Sequence, residues 1–379
     1  MMKKLLYIGH AYHNKTQSTR FLKDILESQY EVEYFDYDPY TQTDASFSTL
    51  KGKKYDILVI FQIMPDIKLL KRNLSFNKGV FFPMYDGVPS RKDPLWLQYK
   101  DFNIINFSAT LHQELSNIGF SSFYIQYFPK PAEVADWGDD KSIFFWNRTT
   151  DINLAKAEIL LTDYDYNKFH LHKALDPEQK FDEPGALLAA KLEISEWYDT
   201  REEMIKDMEK SAVYIAPRLY EGIGMSFLEA MAHGRCVIAP DNPTMNEYIT
   251  DKVTGYLYNP NQIVPLSLDR IKEIQKEAYA FICNGYQEWE KKKFEILKWL
   301  EADVVINKSK IKNFFSLQEI TKIYFLGIEI LRKEKYSSYT LLKLFGFLPF
   351  VKILGMGNKS DVKILGVKLF KVKYKRAPK

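Results

Sequence analysis

Residues 218–247 read R-L-Y-E-G-I-G-M-S-F-L-E-A-M-A-H-G-R-C-V-I-A-P-D-N-P-T-M-N-E, and the rest of the 379-residue chain is organised around them. Just upstream, A-V-Y-I-A-P at 212–217 is the continuous apolar run of a strand buried on both faces. Gly222 and Gly224 open a tight loop. Residues 226–233 read as a short helix, and Gly234 stands where a left-handed residue ends the last turn. C-V-I-A at 236–239 is a second buried strand, closed by Pro240. Strand, helix and strand in this order make one parallel βαβ unit.

The physics of that unit points to an anion. A glycine loop feeding a helix start gathers free backbone N–H groups at one spot, where the helix dipole adds partial positive charge. Gly222, Gly224, Met225 and Ser226 supply that stretch, and the glycines let a diphosphate approach without Cβ clashes. Glu221 precedes the loop and Glu229 lies about one turn into the helix, so both carboxylates are expected to flank one pocket. A carboxylate beside a phosphate is repelled unless it accepts hydrogen bonds. Sugar hydroxyls are the natural donors, a ribose for one and a transferred sugar for the other. The alternative is a generic βαβ turn with two solvated glutamates.

Length and composition frame this reading. A chain of this size usually divides into two domains. Hydrophobic residues make up 46%, charged residues 27%, and the net charge is only +4. That is a globular composition, and its small basic excess argues against a nucleic-acid protein. Cys236 and Cys283 offer neither a disulfide framework nor metal-ligand spacing, which suits a reducing cytosol. The start, M-M-K-K-L-L-Y-I-G-H, is too short in apolar residues for a signal sequence and reads as a first strand. No apolar run reaches membrane-spanning length.

Glu221 and Glu229 have the E-x7-E spacing of one family, and E-G-I-G-M-S-F-L-E-A-M-A-H-G resembles its donor-site segment. The family is the retaining glycosyltransferases of GT-B fold in glycosyltransferase family 4, glycosyl transferases group 1. The resemblance covers roughly residues 1–300 and is sharpest over 192–260. It implies an α/β fold of two Rossmann-like, doubly wound parallel-sheet domains facing a cleft. The expected division is 1–130 for the acceptor domain, 131–302 for the nucleotide-sugar domain with a returning helix, and 303–379 for an extension. By resemblance Glu221 binds the transferred sugar and Glu229 the ribose.

Strand-like runs at 4–8, 32–37, 57–61, 79–84, 103–107 and 122–127 alternate with helical segments at 19–28, 67–74 and 109–118. Ligands of such sheets bind beyond the C-terminal strand ends. The loop after the first strand carries His10, His13, Asn14, Lys15, Thr16 and Ser18. Either one of these is functional, or Ser18 or Thr19 caps the next helix and the histidines are solvated. Tyr85-Asp86-Gly87 follows another strand. The family often has His-Asp there, so the resemblance makes Asp86 a catalytic candidate that orients the acceptor or the sugar. The alternative is a plain Asp-Gly turn.

Y-F-P-K-P at 127–131 reads as the linker. I-F-F-W at 143–146 then starts a new sheet, with N-R-T-T after it. The family carries Gly-Arg here and a lysine shortly after, both gripping the diphosphate. Arg148 matches the arginine, while Asn153 falls where the lysine is expected. Lys156 or Arg218 is left to substitute. Thr200 and Glu203 have capping-box spacing, and residues 196–199 just before them fall where relatives approach the nucleotide base. Residues 289–300 are the candidate for the returning helix.

Residues 316–333 read as an amphipathic helix opened by a second capping box, Ser316 to Glu319. Beyond it K-L-F-G at 343–346 and K-I-L-G at 363–366 form an internal repeat with interleaved apolar and basic residues. Residues 341–379 either lie on an anionic membrane surface or pack on the body as β-hairpins. With these features, the resemblance implies a glycosyltransferase of EC class 2.4 that retains anomeric configuration. It moves a sugar from a nucleotide-sugar donor to a surface-polysaccharide or lipid-linked glycan acceptor. No cofactor, metal or nucleic acid is expected, and the place of action is the cytoplasm or the inner face of the membrane. A GT-B sugar-nucleotide epimerase and an inactive scaffold of a polysaccharide-assembly complex are the alternatives.

Overall fold

A computed structural model describes residues 2–38, 44–176, 179, 181, 185–325, 328–336, 339–344, 348–356, 359–364 and 367–373. The first half alternates strands with helices: β1 (Lys3–Gly9), α1 (Tyr12–Thr16), α2 (Arg20–Glu27), β2 (Tyr30–Asp36), β3 (Lys54–Phe61), α3 (Ile67–Asn73), β4 (Ser75–Phe82), β5 (Asn103–Asn106), α4 (Ala109–Ile118) and β6 (Ser122–Tyr124). The strands form one parallel sheet in the order β2-β1-β3-β4-β5-β6. Side chains alternate across it: Leu5 and Tyr7 enter one buried cluster, Leu6 and Ile8 another. Both faces are covered, which is why these strands read as unbroken apolar runs.

The second half repeats the pattern with β7 (Asp139–Asn147), α5 (Leu154–Leu160), β8 (Lys168–Lys173), α6 (Ala186–Ala189), β9 (Leu192–Ser195), α7 (Arg201–Glu209), β10 (Ser211–Ile215), α8 (Met225–Ala232), β11 (Cys236–Pro240), α9 (Met245–Tyr248) and β12 (Tyr256–Tyr258). Its parallel sheet runs β12-β11-β10-β7-β8-β9. Strand order reverses between β7 and β10, and between β1 and β3 in the first sheet. These are the crevices where doubly wound sheets take ligands.

The chain then returns to the first sheet. The 22-residue helix α10 (Ile271–Lys292) buries Ile274, Ala278, Ile282 and Trp289. Trp289 stands edge-on to Tyr127 and Phe21 of the first half. The next helix, α11 (Glu295–Glu301), lies against β4 and β5. Asn103 donates to the Ala302 carbonyl at 2.8 Å, and Trp299 stacks on Phe123. One buried apolar cluster therefore runs through both halves.

In the tail, Asn307 caps a short helix, α12 (Lys308–Phe314), its side chain accepting from Lys310 N–H. The helix expected over 316–333 is a pair of antiparallel strands, β13 (Leu317–Phe325) and β14 (Ile328–Tyr336). Ile320, Thr321, Ile323, Ile328 and Ile330 are β-branched, which favours strands over a helix there. They pair on with β15 (Tyr339–Leu344), β16 (Leu348–Met356), β17 (Lys359–Ile364) and β18 (Val367–Lys373) as a six-stranded antiparallel meander. The two repeats occupy the β15–β16 and β17–β18 hairpins, with Lys343 and Lys363 on the first strand of each. Gly346, Gly366 and residues 374–379 lie outside the described residues.

Candidate active site

The central βαβ unit forms as its sequence requires. β10 and β11 pair in parallel with Val213 opposite Cys236, and α8 connects them. Gly224 is the N-cap at φ +89°, where a side chain is strained and a Cβ runs into the Phe227 ring. Gly234 ends the helix at φ +73°. The loop between β10 and α8 is fastened from below. Glu221 N–H donates to the Pro243 carbonyl at 3.2 Å, Asn242 to the Leu219 carbonyl at 2.9 Å, and the Thr244 hydroxyl to the Ile223 carbonyl at 3.2 Å.

Four strand ends deliver charged side chains to one place. β7 is hydrogen-bonded to both β8 and β10, so the residues just past these three strands lie side by side. They are Arg148, Asp176 and the 218–221 loop. The end of β4 brings Asp86 from the other half. Arg148 donates to Asp176 Oδ1 through Nη2 at 2.8 Å and Nε at 3.2 Å, and its guanidinium lies 4.8 Å from the Trp146 ring centre. Arg218 donates to Asp86 Oδ2 at 3.1 Å and to Asp176 Oδ2. Asp176 thus holds one arginine on each oxygen. Tyr85 and Tyr220, next to Asp86 and Glu221, bring their rings to 5.9 Å across the same junction.

Three carboxylates and two guanidinium groups meet here with little access to water. Burial pushes the Glu221 carboxyl up to about 7, against the pull of Arg218 and with a further push from Asp86. Burial also raises Asp86, opposed by Arg218. For Arg218 burial acts downward, yet Glu221, Asp176 and Asp86 together hold it above its ordinary value.

Several sequence expectations meet a different geometry. The room left by Gly222 is already used: a Cβ there stands 2.7 Å from Met84 Cβ and 2.9 Å from Asp86 Oδ1. Lys156 does not join the arginines. Its ammonium binds the Asp151 carbonyl, and Asn153, at the position expected for lysine, is the N-cap of α5. Glu221 and Glu229 do not share one set of partners, because Glu229 is paired with Arg201 of α7. Neither Ser18 nor Thr19 caps α2 through its side chain. Ser18 instead bonds His13 Nδ1 at 2.8 Å, and His13 Nε2 meets Gln62 Oε1 at 2.5 Å. Met225 and Ser226 open α8 as expected, with first-turn N–H groups that have no acceptor inside the helix. Beyond the end of β9, Trp197 is half exposed, edge-on to Trp146 and His172.

Two participants were missed from sequence. Asp176 sits in A-L-D-P, which reads as a turn, and only the β7–β8 pairing of Asn147 with Lys173 sets it beside Arg148. Glu247 of α9 reaches the start of α4 in the other half. Its carboxylate accepts from the Ser108 hydroxyl at 2.9 Å, Ala109 N–H at 2.7 Å and Thr110 N–H at 3.0 Å. Among the described residues no group of His, Cys, Asp and Glu is arranged to hold a metal ion.

Two facing parallel sheets with a returning C-terminal helix are the GT-B fold. Sucrose-phosphate synthase from Thermosynechococcus elongatus has it, with a TM-score of 0.56 at 14% identity over 79% of this chain and 98% of that one. So does Anabaena Alr3699/HepE, solved with UDP and glucose, with a TM-score of 0.51 at 12% identity over 79% and 100%. The model of the family described as "Glycosyl transferases group 1" matches residues 186–288 of this chain. It is 37% identical over 78 residues to the UDP-N-acetylglucosamine–peptide N-acetylglucosaminyltransferase GtfA subunit of Streptococcus pneumoniae. That match takes in 20% of this chain and spans only 14% of the length of that relative.

Proposed function

We propose that this protein is a glycosyltransferase that carries a sugar from a nucleotide-sugar donor to a growing surface polysaccharide or lipid-linked glycan, with retention of anomeric configuration. The observation that carries the reading is the convergence of Arg148, Arg218, the Gly222–Gly224 loop and the start of α8 at the β7–β10 crevice. Guanidinium groups and first-turn amides stabilise the negative charge that builds on a departing diphosphate. Glu221 receives the transferred sugar, Glu229 the ribose, and Asp86 faces them from the acceptor side. Trp197 offers an indole surface to the base. No metal ion enters the mechanism.

The tail extends this reading. Lys343, Lys352, Lys363 and Lys371 interleave with apolar residues on β15 to β18. On an anionic leaflet each contributes about 1 kcal/mol near the surface. We place the enzyme in the cytoplasm, resting through 341–379 on the membrane that presents its acceptor. No helix among the described residues is long and apolar enough to cross a membrane.

The test is a panel of UDP-, GDP- and dTDP-sugars, read by thermal shift and by mass spectrometry of the products. UDP-sugars come first, since the pneumococcal relative is named for one. Release of nucleoside diphosphate with a lengthened acceptor supports the reading. An isomerised sugar nucleotide makes the protein an epimerase. No donor binding at all, with glycan assembly intact after Glu221→Ala, makes it a scaffold.

A further inference from the structure

The two arginines of the crevice are occupied. Asp176 places Oδ1 on Arg148 and Oδ2 on Arg218, and its side chain is 22% exposed. Two guanidinium groups converging in a site of restricted water access repel each other unless an anion lies between them. A diphosphate offers the same pattern, with separate oxygens for separate guanidinium groups. It cannot use those donors while a carboxylate holds them. Adding it beside an unmoved Asp176 also sets like charges within a few ångströms, in a cluster that already contains Asp86 and Glu221.

We propose that Asp176 is an internal counter-anion that occupies the diphosphate position and is displaced when the nucleotide-sugar binds. The proposal rests on the donor-site reading above. Asp176 keeps Arg148 and Arg218 aligned for the donor. Binding is then an exchange of anions, with the guanidinium geometry retained. The same exchange runs backward after transfer. The returning carboxylate competes with the nucleoside diphosphate left in the site and speeds its departure. Asp176 is therefore a positioning residue that acts through the two arginines.

The sign of one substitution decides the matter. Asp176→Asn keeps shape and removes the competing charge. By titration calorimetry, UDP and inorganic pyrophosphate are expected to bind it on the order of tenfold more tightly than wild type. Uridine, which lacks phosphate, is expected to bind both equally, a split that mere loosening of the fold does not produce. Asp176→Ala serves as the second variant. A wild-type crystal soaked in pyrophosphate reads the displacement directly, with Asp176 expected off both guanidinium groups. Weaker or unchanged UDP binding in a folded Asp176→Asn overturns the proposal while the donor site stands. So does pyrophosphate bound with Asp176 still between the arginines. If wild type binds none of UDP, GDP and pyrophosphate, the glycosyltransferase reading itself falls and takes this one with it.

Discussion

Asp86, past the end of β4, and Arg218, past the end of β10, lie 3.1 Å apart and join the two parallel sheets by a partly buried ion pair. The contact sits beside Gly222, whose missing side chain lets Met84 and Asp86 close on the loop. The crevice proposed for the donor is thus also where one half grips the other.

That grip is measurable. Asp86→Asn and Arg218→Gln each remove one member of this partly buried pair and are expected to cost about 2 kcal/mol in urea unfolding. The double variant should recover part of it, with a coupling of at least about 1 kcal/mol. Strict additivity would mean that the pair contributes nothing beyond its separate members.

Glu221 predicts a pH dependence. Its ordinary value is 4.5, and burial lifts the folded value to about 7. The fold therefore prefers the protonated form. Its contribution is full below about pH 4.5 and is lost as pH rises through 7. Relative to Glu221→Gln, the wild type should lose up to about 3 kcal/mol between pH 4.5 and 8. Denaturant midpoints at pH 5 and pH 8 give the comparison. A stability difference that stays constant would show Glu221 charged throughout.

Glu229 separates ribose from phosphate. Glu229→Ala is expected to weaken UDP binding about tenfold, the scale of one lost charge-assisted hydrogen bond. Pyrophosphate binding should be unaffected. Equal losses for both ligands would place Glu229 at the diphosphate instead.

Glu247 holds the amino-terminal end of α4 from the other half of the chain. Glu247→Ala removes that anion from three donors and should cost about 1–2 kcal/mol. Hydrogen exchange at Ala109 and Thr110 should accelerate, while the α8 amides keep their protection. Unchanged exchange at the two residues would show that Ser108, the local N-cap, suffices.

Much of the architecture was legible locally. The βαβ unit around Gly222 and Gly224, and the helix stop at Gly234, follow from apolar runs and glycine positions. Those signals depend on neighbours a few residues away. The 316–333 segment differs because its capping-box spacing fits a helix start, while its β-branched residues and the hairpin pairing of β13 with the next strand, β14, favour a sheet.

The charged cluster marks the boundary between the two kinds of information. Strand ends together with the family resemblance were enough to name Arg148, Arg218, Glu221 and Asp86. Which carboxylate meets which guanidinium was not encoded in any window of sequence. Asp176 lies 28 residues from Arg148, 42 from Arg218, and Asp86 132 from Arg218. Only the order of strands in the second sheet and the closure of the first upon it bring them within hydrogen-bonding distance. Burial there, a property of the assembled fold, is what raises the Glu221 and Asp86 carboxyls.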